Sequence, residues 1–215
     1  MAVRNLLALL LLSMCSVPAS MAGVIVQVGD ASISAGGSGF VDILISSDSG
    51  DNLDSFSLLA NITGDPTNGS LGFDTDANQP DISLDASYVF FGNTGGYFAD
   101  AEGDFDTLTF NAGDSSSDFN GVTLSGTPKL LVRVAIIHTT ASPIAAVGDT
   151  FTISVAGSPD TVFADSSFNS LTVSTNSSGT VQIVSATVPE PGTFSMLCIA
   201  GLGMCSRCRQ RRQQK

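Results

Sequence analysis

At 215 residues, the chain is long enough for one domain of ordinary size with appendages. Its formal net charge is −12, and between Gly23 and Val188 stand 19 acidic residues against Lys129 and Arg133 alone. So acidic a body repels phosphate and excludes nucleic acid as a partner; with all four cysteines outside it (Cys15, Cys198, Cys205 and Cys208), it holds neither a disulfide framework nor a thiol active site.

The opening MAVRNLLALLLLSMCSVPASMAG has one arginine (Arg4), an apolar run from Leu6 to Leu12, and small residues at Ser20 and Ala22. Those are the parts of a secretory signal peptide over residues 1–22, cleaved after Ala22. The apolar run is too short to span a bilayer. Met14 occupies the place before Cys15 where a lipoprotein signal requires a small residue.

From Gly23 onward, short apolar–polar alternations are separated by turn residues. VIVQV (24–28), FVDILIS (40–46) and FSLLANIT (56–63) come first. In the third, Phe56, Leu58, Ala60 and Ile62 share one face. SYVFFG, DTLTF, GVTL, LLVRVAII, TFTISV, LTVST and TVQIV follow, all of strand length and rich in Val, Ile, Phe and Thr. In LLVRVAII, the pattern turns Arg133 to solvent and Val132, Val134 and Ile136 to the core. No stretch of the body sustains a 3.6-residue period, and there is no internal repeat. The reading is all-β: a single antiparallel β-sandwich over residues 23–184, with a barrel as the alternative.

The connections are rich in Gly, Ser, Asn and Asp, and two of them, FGNTGGYFADAEGD and NAGDSSSDFNG, are long enough to carry function. Carboxylates are the densest chemistry. In DTDANQPDISLD, Asp74, Asp76 and Asn78 are spaced by two, and Asp85 stands where the twelfth ligand of an EF-hand loop would be. Alternate oxygens on a tight loop converge on a hard cation. Gln79, however, replaces the required glycine, so the stretch is not an EF-hand. A second cluster, DAEGDFD, holds Asp100, Glu102, Asp104 and Asp106. Calcium relieves the mutual repulsion in such a cluster; simple solvation of an acidic surface does so too.

Catalysis finds no foothold. His138 is the sole histidine, so no histidine metal cluster forms, and no nucleophile-elbow sequence accompanies it. A glycosidase carboxylate pair is not singled out among so many acids. For ligand binding, the aromatics of YVFFGNTGGYFADAEGD matter most. As a strand, Tyr88 and Phe90 face one way and Phe91 the other. Tyr97 and Phe98 follow Gly95-Gly96 and are expected at a loop tip, as a ligand surface.

The end, VPEPGTFSMLCIAGLGMCSRCRQRRQQK, reads as a linker (185–192), a short transmembrane helix (193–206) and a basic cytoplasmic tail (207–215). Fifteen residues from Gly192 to Ser206 make about 22 Å of helix, short of the ~30 Å hydrocarbon core. Arg207, Arg209, Arg211 and Arg212 follow at once and, by the positive-inside rule, hold the C-terminus in the cytoplasm.

Val188-Pro189-Glu190-Pro191-Gly192, the apolar segment and the arginine cluster together resemble the PEP-CTERM sorting signal of bacterial exosortase substrates. That resemblance implies recognition by a membrane exosortase, processing near Val188, Pro189, Glu190 and Pro191, and delivery to the cell surface or extracellular matrix. The opening VIVQVGDASISAGGSGFVDILISS and the closing AVGDTFTISVAGSPDTVFADSSFNSLTVSTNSSGTVQIV resemble the first and last strands of cohesin-like sandwiches, an architecture shared with many carbohydrate-binding modules. The expected function is an exported, exosortase-sorted surface or matrix protein with a non-enzymatic acidic sandwich. The alternative is a calcium-dependent module binding an extracellular polysaccharide or a surface protein, with a hydrolase last.

Overall fold

Residues 23–64, 68–101, 108–175 and 178–186 are described by the structure, a computed structural model. The period-2 alternation becomes strands wherever one face can be covered. β1 (Val24–Val28), β2 (Ala31–Ser34), β3 (Ser38–Ser47), β4 (Asn52–Leu53), β5 (Ser55–Thr63) and β6 (Ser70–Phe73) form the first half. β7 (Phe98–Ala101), β8 (Thr109–Ser115), β9 (Val122–Thr123), β10 (Lys129–Thr139), β11 (Thr150–Val155), β12 (Val162–Ala164), β13 (Val173–Thr175) and β14 (Ser178–Val184) form the second. Among the described residues, the one helical piece is a 3-10 turn at Asp76–Asn78, and no helix is long and apolar enough to cross a membrane.

The strands build a β-sandwich. One sheet runs β13-β1-β3-β10-β6; the other runs β2-β14-β11-β5-β8-β7, with β12 continuing along β5 where β11 leaves it. β4 and β9 pair as a small ribbon. Pairing is antiparallel except at two edges, where β1 meets β13 and β2 meets β14 in parallel. The chain crosses from one sheet to the other between β1 and β2, and again between β13 and β14. The start of β14 lies so close to the β1–β2 crossing that a Cβ on Gly179 would run into the Gly29 carbonyl oxygen, which leaves room only for glycine.

The core takes the residues that parity assigned to it. Val41, Ile43 and Ile45 of β3 and Val132, Val134 and Ile136 of β10 face Leu58, Ala60 and Ile62 of β5 across one continuous apolar cluster. Each such aliphatic side chain contributes about 1.5–3 kcal/mol on burial. Leu130, Leu131 and Val132 are all buried in succession because β10 shifts register against β3 between Leu130 and Val132, a β-bulge that turns an extra residue inward. On the outer face, Arg133 stands opposite Asp42, and its Nε and Nη2 donate to the two carboxylate oxygens at 2.6 and 2.8 Å.

The SYVFFG segment departs from its expected strand. Asp85 to Asn93 is a succession of turns, with amide bonds from Tyr88 to Asp85, Phe91 to Tyr88 and Asn93 to Phe90, and a single bridge between Tyr88 and Leu130. Turns bury Tyr88, Val89 and Phe90 together, which an alternating strand cannot do, and leave Phe91 exposed. Tyr88 packs edge-on against Phe90 and Tyr97, while Phe90 stacks on Phe56. The segment plugs the sandwich instead of extending a sheet. The two long connections also contain strand: β7 lies within the first, and β8 takes Asn111–Ser115 of the second.

Candidate functional site

β5 begins at one end of the second sheet, flanked by β8 on one edge and β12 on the other. Ser55 is the shared partner of Ser115 and Ala164. Just outside that row, the Asp54 amide donates to the Ala164 carbonyl, and the Ser116 amide donates to the Asp54 carbonyl. The loops after β8 and β12 therefore leave the sheet at the same end, one on each side of β5. The β4–β9 ribbon and the end of β3 lie at the same end, since β4 directly precedes β5 and β9 follows β8.

Two buried carboxylates sit at this end. Asp54, just before β5, is buried with Phe56 and Leu58; on β8, Asp114 follows Phe110 and Ala112 inward. Asp114 accepts the Tyr88 hydroxyl at 2.7 Å, the Thr94 hydroxyl at 2.6 Å, and the amides of Gly96 and Ser115 at 2.9 and 2.7 Å. Asp54 accepts the Ser116 hydroxyl. Burial, and then the bond to Asp114, push the Tyr88 phenol well above its ordinary range; burial does the same to Tyr97. These bonds tie the 88–96 turns to β8 and occupy the carboxylates in holding the fold.

Above this buried layer, the two loops present phenylalanines. Phe119 is 66 % exposed and Phe168 is 78 % exposed, and both have left-handed backbones, with φ of 56° and 61°. That region costs a side chain with a Cβ about 1–2 kcal/mol, which is why glycine usually occupies it. Each loop is held by an aspartate. Asp118 Oδ1 accepts the Asn120 amide and the Asn93 side-chain amide, and Asn52 Nδ2 donates to the Asn120 carbonyl. Asp165 Oδ1 accepts the amides of Ser167 and Asn169, and the Phe168 amide closes back on the Asp165 carbonyl. The Asn93 side chain, followed by the Asn120 amide, pulls the Asp118 carboxyl down to about 2. Bonds from Asn169 likewise lower the Asp165 carboxyl. Asp118 therefore stays ionised well into acid. Beside the Phe168 loop, a cleft of about 290 Å³ opens between β12 and β13, lined by Ser158, Thr161, Val162, Ser170 and Leu171 among others.

The residues picked out from the sequence fall elsewhere. Asp74 and Asn78 come together, with Asn78 Nδ2 donating to Asp74 Oδ1 at 3.0 Å. Asp76 instead accepts the Ala101 amide at 2.7 Å. Asp85 accepts the Ser87 amide and hydroxyl and lies 3.7 Å from Arg133. Asp100 is exposed on β7, while Glu102, Asp104 and Asp106 lie outside the described residues. Among the described residues, no three His, Cys, Asp or Glu side chains are grouped to hold a metal ion. Phe98 is half exposed on the edge strand β7, whereas Tyr97 turns inward against Tyr88, with ring centroids 5.6 Å apart and its hydroxyl buried. Val188, Pro189, Glu190, Pro191 and the arginine cluster lie outside the described residues.

Asp54, Asp114, Phe119 and Phe168 were not picked out from the sequence. Parity marks the first two, since each continues the inward register of a strand already assigned. The two phenylalanines share a weaker sign: a Phe-Asn pair shortly after an Asp in a serine-rich loop, SSDFNG and DSSFNS.

Residues 187–212 match the model of the PEP-CTERM protein-sorting motif. No protein of curated function matches the chain in sequence. In fold, it is similar to a chain of the complex between CaDoc0917 and CaCohA2, the latter from Clostridium acetobutylicum, at a TM-score of 0.50 and 12% identity over 75% of this chain and 99% of that one. The sixth cohesin of scaffoldin B from Acetivibrio cellulolyticus aligns over the same shares at 0.49 and 15% identity. A non-cellulosomal cohesin from the archaeon Archaeoglobus fulgidus aligns at 0.44 and 18% identity, over 76% of this chain and 91% of that one. The likeness is one of fold, a cohesin-like sandwich. The motif marks the chain as an exported, exosortase-sorted surface protein.

Proposed function

We propose that the mature protein is a non-enzymatic module displayed at the cell surface, and that its sandwich acts by holding a partner. In this reading, residues 1–22 are a cleaved signal peptide and 23–184 the working domain. Residues 185–192 form a linker with the processing motif, 193–206 a short membrane helix, and 207–215 a cytoplasmic stop. The observation that carries it is the sorting motif at 187–212, which directs the chain to the surface. Support for binding over chemistry comes from the interior: Asp114 is committed to four hydrogen bonds, Asp54 to Ser116, and His138 Nδ1 to the Gly36 amide. All three side chains are buried, so none is presented to a substrate. The second protein in the CaDoc0917–CaCohA2 complex is bound by a chain of that complex, a precedent for protein binding within this architecture.

The sorting part is tested with a C-terminal epitope tag and intact mass of the surface form. The expected result is loss of the tag and a new C-terminus near Pro189 to Pro191. Surface protein that keeps both the tag and an uncut Pro-Glu-Pro would overturn it.

A further inference from the structure

We infer that the end of the sandwich bearing Phe119 and Phe168 docks a basic polypeptide segment, one that alternates arginine or lysine with apolar side chains. The inference rests on the binding-module reading and is independent of the sorting signal.

The two loops leave opposite edges of β5, so their bases stand two strand spacings apart, about 10 Å. Each ring is largely in solvent, on a backbone that glycine would occupy more readily. Neither loop is frayed: Asp118, Asn52 and Asn93 pin the first, and Asp165 closes the second on itself. The rings are presented rigidly and have nothing of their own to cover. Two exposed aromatics on fixed loops are the anchors of a binding surface.

Charge decides what covers them. Asp118 adjoins Phe119, Asp165 begins the Phe168 loop, Asp48 extends from the end of β3, and Asp160 lies between cleft residues Ser158 and Thr161. Against these, the same end carries Lys129, at the start of β10; Arg133 is taken by Asp42. A ring with a carboxylate beside it attracts a guanidinium or ammonium twice over, through the ring face and through the charge. An anionic polymer is repelled, and a neutral glycan can hydrogen-bond the aspartates but gains no charge attraction from them. The cleft beside the Phe168 loop, with Val162 and Leu171 in its wall, receives the apolar side chain that alternates with the cations.

The test uses the mature chain and a labelled peptide alternating arginine with leucine. A glutamate–leucine peptide and a neutral β-glucan oligosaccharide run in parallel. Saturable binding of the arginine peptide, weakened by salt, is expected. In the double variant Phe119→Gly, Phe168→Gly, affinity falls about tenfold or more, while the thermal midpoint holds or rises because the left-handed strain is relieved. Lys129→Glu strengthens binding. Undiminished binding by the double variant would sink the inference alone and leave the module reading standing. So would equal binding of the glutamate peptide, or oligosaccharide binding lost in the double variant. A wild-type chain that binds none of the three probes overturns the inference and leaves the module reading standing.

Discussion

His138 sits at the end of β10 with 1 % of its surface exposed, its ring edge-on to Phe151 and its Nδ1 accepting the Gly36 amide at 3.0 Å. Nε2 faces Gly69, where a Cβ would come within 2.5 Å, so the imidazole occupies space that only glycine leaves open. Burial lowers its pKa below the usual 6.5, with Asp149 opposing weakly. Above pH 6.5, the folded and unfolded chains both carry a neutral imidazole, and this contribution to stability is complete. As pH falls through 6.5, the unfolded chain takes the proton first, so stability drops until the folded-state pKa is reached. Protonating Nδ1 also breaks the Gly36 bond. The thermal midpoint of the wild type is therefore expected to be flat above neutrality and to fall in mild acid, a step that His138→Gln lacks. An identical step in the variant would assign it to the carboxylates. From the sequence, this residue stood out only as the sole histidine; what made it a buried base was the Gly36 and Gly69 backbone, more than 60 residues upstream and invisible to local pattern.

For whole elements, the alternation read well where a strand has one wet face. β5 and β10 bury the residues that parity assigned to them, and Arg133 lands on the outer face, though on Asp42 and not in open solvent. SYVFFG misled because β-rich composition cannot distinguish a strand from a run of turns that plugs a sandwich end; the difference lies in the amide bonds to Asp85, Tyr88 and Phe90. Asp114 secures that plug. Asp114→Ala strands the Tyr88 and Thr94 hydroxyls and the Gly96 amide together, and is expected to cost about 3 kcal/mol. The check is the urea midpoint, together with faster hydrogen exchange confined to residues 88–97. A loss spread evenly over both sheets would mean that the aspartate supports the core as a whole and not this segment. Asp54 and Asp114 were legible as inward positions, since Phe56 and Ala112 precede or follow them by two. That they would be carboxylates with partners was not, because Tyr88, Thr94 and Ser116 come from other parts of the chain.

Over the molecule as a whole, 19 acids face two cations between Gly23 and Val188, and one of the two is bound to Asp42. Like charges spread over the surface repel one another and destabilise the compact state, and salt screens them within about 10 Å at 0.1 M. Raising sodium chloride from about 0.01 M to about 0.5 M is expected to raise the thermal midpoint by several degrees; a fall would show that the Arg133–Asp42 and Arg133–Asp85 contacts outweigh the repulsion. The all-β class, the acidic cysteine-free body and the sorting signal were legible without a structure, because they rest on composition, on a period of two, and on residues adjacent in the chain. That the exposed Phe119 and Phe168 stand at the same end of the sandwich was a matter of tertiary structure alone. Phe119 and Phe168 are 49 residues apart, and their loops leave the sheet at one end because β8 and β12 both pair with β5. Pairing of that kind is set by long-range burial, and no local stretch of sequence contains it.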